Sequence, residues 1–128
     1  MRLSFKNRKN NVENTMQPEL RDAFRLAAHR RACAALHLNP SLISEPKRIL
    51  AFWITQSAGK GPMTDYLRRW SELLKLDEND SKSLNRLCTL LCDDSPAGCE
   101  RRISSPILFV LSQQELRAIR QETKRLSP

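Results

Sequence analysis

The amino-acid sequence predicts an all-α protein, a compact orthogonal bundle of about five helices with a basic N-terminal arm and at most two short strands. Two features carry this: apolar residues recur at three- and four-residue spacing over most of the chain, and Pro, Gly and capping residues cut it into helix-length segments joined by short polar turns. A chain of 128 residues suffices for one domain, expected over residues 17–128 behind an arm of residues 1–16. With 40% hydrophobic and 5% aromatic residues, the core is built mainly from Leu, Ile and Ala, and wholesale disorder is excluded.

The arm carries Arg2, Lys6, Arg8 and Lys9 among four Asn, with Leu3 and Phe5 spaced to alternate inward in one short strand. The first helix begins near Pro18, where a missing N–H costs nothing, and Asn39-Pro40 stops it after Leu38. At 100° per residue, Leu20, Phe24, Ala27, Ala34, Ala35 and Leu38 share one stripe, which places Arg21, Arg25 and Arg30 outside the core and makes Arg31 an interruption.

Ser44-Glu45-Pro46-Lys47 signals a second helix, carrying Ile49, Leu50, Phe52, Trp53 and Ile54 and ended by Gly59-Lys60-Gly61-Pro62. The third starts at Thr64-Asp65 and sets Tyr66, Leu67, Trp70, Leu73 and Leu74 on one face. Trp53 and Trp70, with Phe52 and Tyr66, are expected to join these two helices as core rather than as stacking platforms. A fourth helix follows the acidic turn Asp77 to Asp80 and buries Leu84, Leu87, Cys88, Leu90, Leu91 and Cys92, stopping at Asp93-Asp94-Ser95-Pro96. The run Ile107 to Leu111 reads as a buried strand or extended segment, although so short a run is also compatible with helix. Ser112-Gln113-Gln114-Glu115 is a capping box for a last helix to about Arg125, because the Ser hydroxyl and Glu carboxylate can each accept a free backbone N–H.

Charge is the most informative functional feature. The chain holds 22 Lys and Arg against 14 Asp and Glu, a net +8. Residues 1 to 75 carry +8, residues 76 to 100 carry −4 and residues 101 to 128 carry +4, so an acidic island separates two basic flanks. The expected function is a small, non-enzymatic nucleic-acid-binding regulator, DNA foremost, with an adaptor or inhibitor docking on an acidic surface of a larger protein as the alternative. The candidate phosphate contacts are Arg2, Lys6, Arg8 and Lys9 of the arm, Arg21, Arg25 and Arg30 of the first helix, and Arg117, Arg120, Lys124 and Arg125 of the last. Arg117, Arg120 and Lys124 fall within about 60° of one another on a helix. A helix-turn-helix can be drawn through Tyr66 to Leu91, but Asp77, Glu78 and Asp80 in its turn would repel phosphate, and an ordinary helical hairpin is preferred.

Other chemistries find less support. His29, Cys33 and His37 recur every four residues, and Cys88-x3-Cys92 with Cys99 adds three thiols, yet neither group has the C-x2-C spacing typical of zinc sites. Core thiols are preferred and no metal or cofactor is expected. Cys99, expected in a loop beside Glu100 and Arg101, is the thiol predicted to be most exposed. Ala58 to Pro62 lacks the glycine spacing and the following helix of a phosphate loop, and no paired carboxylates, G-x-S-x-G or H-E-x-x-H occur. The longest strongly apolar run is far short of the roughly 20 residues of a membrane helix. The basic N-terminus is followed by no apolar h-region, so a cytoplasmic protein with reduced cysteines is expected.

Overall fold

The computed structural model describes residues 17–57, 61 and 63–126; the arm of residues 1–16, with its expected strand and Arg2, Lys6, Arg8 and Lys9, lies outside the described residues. Regular structure among the described residues is all helical. Among the described residues there are six α-helices: α1 (Pro18–Leu38), α2 (Ser44–Ser57), α3 (Met63–Leu73), α4 (Ser81–Leu91), α5 (Pro96–Arg102) and α6 (Gln113–Leu126). Two 3-10 turns, Pro40–Ile43 and Pro106–Val110, link α1 to α2 and precede α6.

Helix α1 is the central strut. Helices α4, α5 and α6 and both 3-10 turns pack along it, whereas α3 packs on α2. Its buried face is Phe24, Ala28, His29, Ala32, Cys33 and Leu36. This corrects the expected stripe: Ala34 is exposed and Leu38 is 89% exposed. The core-facing arc is turned by roughly 130° from the one the sequence suggests. The cause is composition, since six alanines are spread around the helix and mark no side, while His29 and Cys33 face inward. The rotation carries Arg21 and Arg25 into half-buried positions and leaves Arg30 and Arg31 exposed, so Arg31 needs no acidic partner.

The core joins α1 to Ile43, Leu50, Trp53, Leu67, Trp70, Leu74, Leu84, Leu87, Leu91, Ile107 and Leu108. Trp53 and Trp70 are buried as expected, and Trp53 meets Phe109 edge to face at 6.0 Å. Phe52 departs from expectation at 48% exposed, because Pro46, Leu50 and Trp53 define the inner face of α2 and Phe52 falls beside it. The 3-10 turn of Pro40–Ile43 runs straight into α2, so that helix begins at Ser44 itself.

The segment expected as a strand, Ile107 to Leu111, is the second 3-10 turn, wedged between α1 and α2. Pro106 starts it, and Ser105 caps it by accepting the Ile107 N–H at 3.1 Å, which spends donors a sheet ladder would need. The capping box of α6 forms as read: Ser112 Oγ accepts from Glu115 N at 3.0 Å and Glu115 Oε1 from Ser112 N at 2.9 Å.

Helix α5 was not expected. Ser95 caps it, Pro96 opens it and Gly98 lies so close to Asp93 that a Cβ there would stand 1.9 Å from the Asp93 carbonyl oxygen. At its end Arg102, 1% exposed, donates from Nη1 to the Leu91 O at 2.8 Å and to the Asp93 O. A buried guanidinium thus satisfies the carbonyl end of α4, where the helix dipole favours a cation.

Candidate nucleic-acid interface

One seam orders the surface around α1 and α4. His37 of α1 donates from Nδ1 to the Cys33 O at 2.8 Å and faces Asn85 Oδ1 of α4 through Nε2 at 2.7 Å. With an acceptor at each ring nitrogen, the cationic ring is favoured, and the Asn85 oxygen, followed by the Cys33 carbonyl, raises the His37 pKa above its ordinary value. The clamp sets Arg30 and His37 of α1 beside the polar face of α4, where Lys82, Asn85, Arg86 and Thr89 are all exposed. Asp80, the cap of α4, is held low by Ser83, so its carboxylate is spent on the helix terminus.

The cations then divide by their partners. On α2 and α3 three of them are answered by an acid three residues earlier: Arg48 by Glu45, Arg68 by Asp65 at 3.0 Å and Lys75, just past α3, by Glu72 at 2.7 Å. Lys47 is spent on the Leu76 carbonyl, which leaves Arg69 exposed there. On α1, α4 and α6 the exposed Arg30, Arg31, Lys82, Arg86, Arg117 and Lys124 form no ion pair among the described residues.

The predicted site residues are not all placed alike. Arg30, Arg117, Lys124 and Arg125 are exposed, with Arg125 only 4.0 Å from Glu122. Arg21, Arg25 and Arg120 are half-buried, and Arg25 pairs with Asp22 at 3.4 Å. Lys82 and Arg86 join the exposed set from a helix that sequence reading set aside for its acidic neighbours.

The chain matches no family model, no curated protein and no solved structure.

Other arrangements drawn from the sequence are not formed. Helix α4 packs on α1 and α3 packs on α2, so Tyr66 to Leu91 builds neither a helix-turn-helix nor a simple hairpin. The seven residues Leu74 to Asp80 carry the chain from one pair to the other. Among the described residues no three His, Cys, Asp or Glu side chains are set to hold a metal ion. His29, buried, turns Nδ1 to the Arg25 O at 2.7 Å. Cys99 lies on α5 instead of a loop and is half-buried, its sulfur accepting from Arg102 Nη2 at 3.4 Å. No helix among the described residues is long and apolar enough to cross a membrane.

Proposed function

We propose that this protein is a small, non-enzymatic nucleic-acid-binding regulator of the cytoplasm that meets phosphates, those of DNA foremost, through α1, α4 and α6. The observation that supports it is the division of cations: Arg30, Arg31, Lys82, Arg86, Arg117 and Lys124 stand exposed and without an ion-pair partner among the described residues, while most of those on α2 and α3 are neutralised by neighbouring acids. A cation already paired at i,i+3 gains little by meeting a phosphate, because one ion pair is exchanged for another. An unpaired guanidinium offers its fork of donors whole and releases condensed counterions from the nucleic acid. His37, cationic over a wider pH range than an ordinary histidine, adds charge beside Arg30. Asn85 is engaged by His37, so base reading in this proposal falls to Arg86 and Lys82.

Titrating labelled duplex DNA, single-stranded DNA and RNA at two salt concentrations tests the reading. With six phosphate contacts to a duplex, log K falls against log salt with a slope of about −5. Absence of binding to all three at low salt overturns the proposal.

The alternative reading, an adaptor on an acidic protein, is favoured by one observation on the opposite helices. A cavity of 230 Å³ lined by Ile54, Ser57, Thr64, Leu67, Arg68 and Ser71 opens between α2 and α3. Phe52 and Ile54 of α2 are 48% and 39% exposed. On that reading the partner co-purifies after nuclease treatment and is lost when Phe52 and Ile54 become Ser.

A further inference from the structure

Helix α3 turns a row of four charged side chains to solvent. Asp65, Arg68, Glu72 and Lys75, the last just past the helix end, fall within about 80° of one another at 100° per residue. Their side chains are 64% to 73% exposed, and within one chain they pair only with each other, Arg68 with Asp65 and Lys75 with Glu72. The row is its own complement. Asp65 and Lys75 lie five residues to either side of Trp70, and Arg68 and Glu72 lie two residues to either side, with opposite charge at each matched position. Turning the helix end for end therefore lays acid on base at every step. A second copy of this chain presents that reversed row through a twofold axis. One edge of the row is the cavity between α2 and α3, to which Arg68 contributes, beside Ile54 at 39% exposed. Ser57, Thr64 and Ser71 in its lining are short, so another helix can lie close over it. Arg69, about 80° from the middle of the row, falls at the opposite edge and stays in solvent.

We propose that α3 is a self-docking surface, on which two copies of this chain associate reversibly, α3 antiparallel to α3, about a twofold axis level with Trp70. Asp65 of each copy meets Lys75 of the other, and Arg68 meets Glu72. An exposed pair three residues apart is worth little, so exchanging it for the same pair between copies costs almost nothing, while the match of four charges fixes direction and register. A slip of one turn in either direction sets like charges against each other. Affinity comes from the apolar surface withdrawn from water around Ile54 and the cavity mouth. A twofold of this kind keeps that edge on the same side in both copies, so the two Ile54 side chains share one flank of the helix pair. One helix and its margin form a small interface, which places Kd on the order of 10 µM. The cations of α1, α4 and α6 belong to other helices, so the association needs no nucleic acid and stands apart from that reading.

The test is sedimentation equilibrium of the full chain, free of nucleic acid and kept reduced, from about 1 to 300 µM. The unaltered chain should rise from the mass of one chain to that of two. Two charge variants then read the register: Arg68→Glu with Lys75→Glu makes the row all acidic, and Asp65→Lys with Glu72→Lys makes it all basic. Each variant alone should stay at the mass of one chain, and an equimolar mixture of the two should recover the mass of two. Should a variant fail to fold, zero-length carbodiimide cross-linking of the unaltered chain decides, using a mixture of unlabelled and heavy-isotope protein. The expected product joins Lys75 of one isotope to Asp65 of the other. An unaltered chain that keeps the mass of one chain throughout overturns the proposal and leaves the face to a different partner. A variant that dimerises alone, a mixture that stays single, or the absence of the mixed-isotope link overturns it as well.

Discussion

Replacing Arg102 with Met keeps a long side chain at a position 1% exposed and removes the guanidinium. Two backbone acceptors then lose their donors: the Leu91 O, 2.8 Å from Nη1, and the Asp93 O, which shares the same nitrogen. Each charge-assisted bond contributes about 1.5–3 kcal/mol, or roughly 3–6 for the two. Against this stands the desolvation of a buried guanidinium, several kcal/mol, enlarged because Arg102 Nε has no acceptor. The expected net loss is about 2–4 kcal/mol. At about 2.1 cal/mol/K of unfolding entropy per residue, each kcal/mol moves the midpoint of a domain this size by about 4 °C, so Tm falls by roughly 8–16 °C. Urea unfolding followed by far-UV circular dichroism reads the loss as a lower midpoint at unchanged slope. Arg102→Lys, keeping the charge without the fork, falls between the two. If Arg102→Met matches the unaltered protein within about 0.5 kcal/mol, the guanidinium does not secure the end of α4 and the reasoning fails.

Three further outcomes are expected. Gly98→Ala drives a Cβ to 1.9 Å from the Asp93 carbonyl oxygen, a backbone atom that cannot swing aside, and costs about 1–3 kcal/mol in the same urea assay. Ser112→Ala removes the oxygen that accepts the Glu115 N–H and lowers stability by about 1 kcal/mol, seen as a drop in Tm with helical content nearly kept. His37 has a folded pKa raised first by Asn85 and then by the Cys33 carbonyl. Its contribution is therefore whole below the unfolded value of about 6.5 and is lost as pH rises through the folded value. The stability advantage over His37→Ala should be larger near pH 5.5 than near pH 8.5, and an advantage that grows with pH contradicts the clamp.

Much of the fold could be read from local signals. The Ser112 and Glu115 box, Pro18 at the first turn and the Leu67, Trp70, Leu74 face of α3 are all realised, because each depends on residues within one or two turns of each other. The buried side of α1 was not legible, since alanine is apolar in every direction and only its neighbours choose among faces. His29 and Cys33 fall outside the stripe that residue type alone marks, yet both are buried, and His29 finds a carbonyl on its own helix. Helix α5 had a signal that could have been used: Ser95 followed by Pro96 is a cap and a first-turn proline. What α5 lacked was length, and the Arg102 that anchors it finds its partners across a turn that no periodicity reveals. The candidate interface divides the same way. Charge counts located the basic flanks, but which cations are already answered by an acid depended on side-chain pairing, and the seam that brings α4 beside α1 depended on tertiary packing.

The central claim is that unpaired cations on α1, α4 and α6 meet nucleic-acid phosphates, while those on and just past α2 and α3 that are engaged by an acid or, for Lys47, by the Leu76 carbonyl do not. Its most direct test compares two variants of equal charge loss across a salt series on one labelled duplex: Arg30, Arg86, Arg117 and Lys124 to Ala, against Lys47, Arg48, Arg68 and Lys75 to Ala. The account predicts that the first flattens the salt slope by about 0.9 for each contact removed, some 3 to 4 in all, while the second leaves the slope near that of the unaltered protein. Equal flattening by both variants would mean that net charge alone drives binding, and would contradict a defined face.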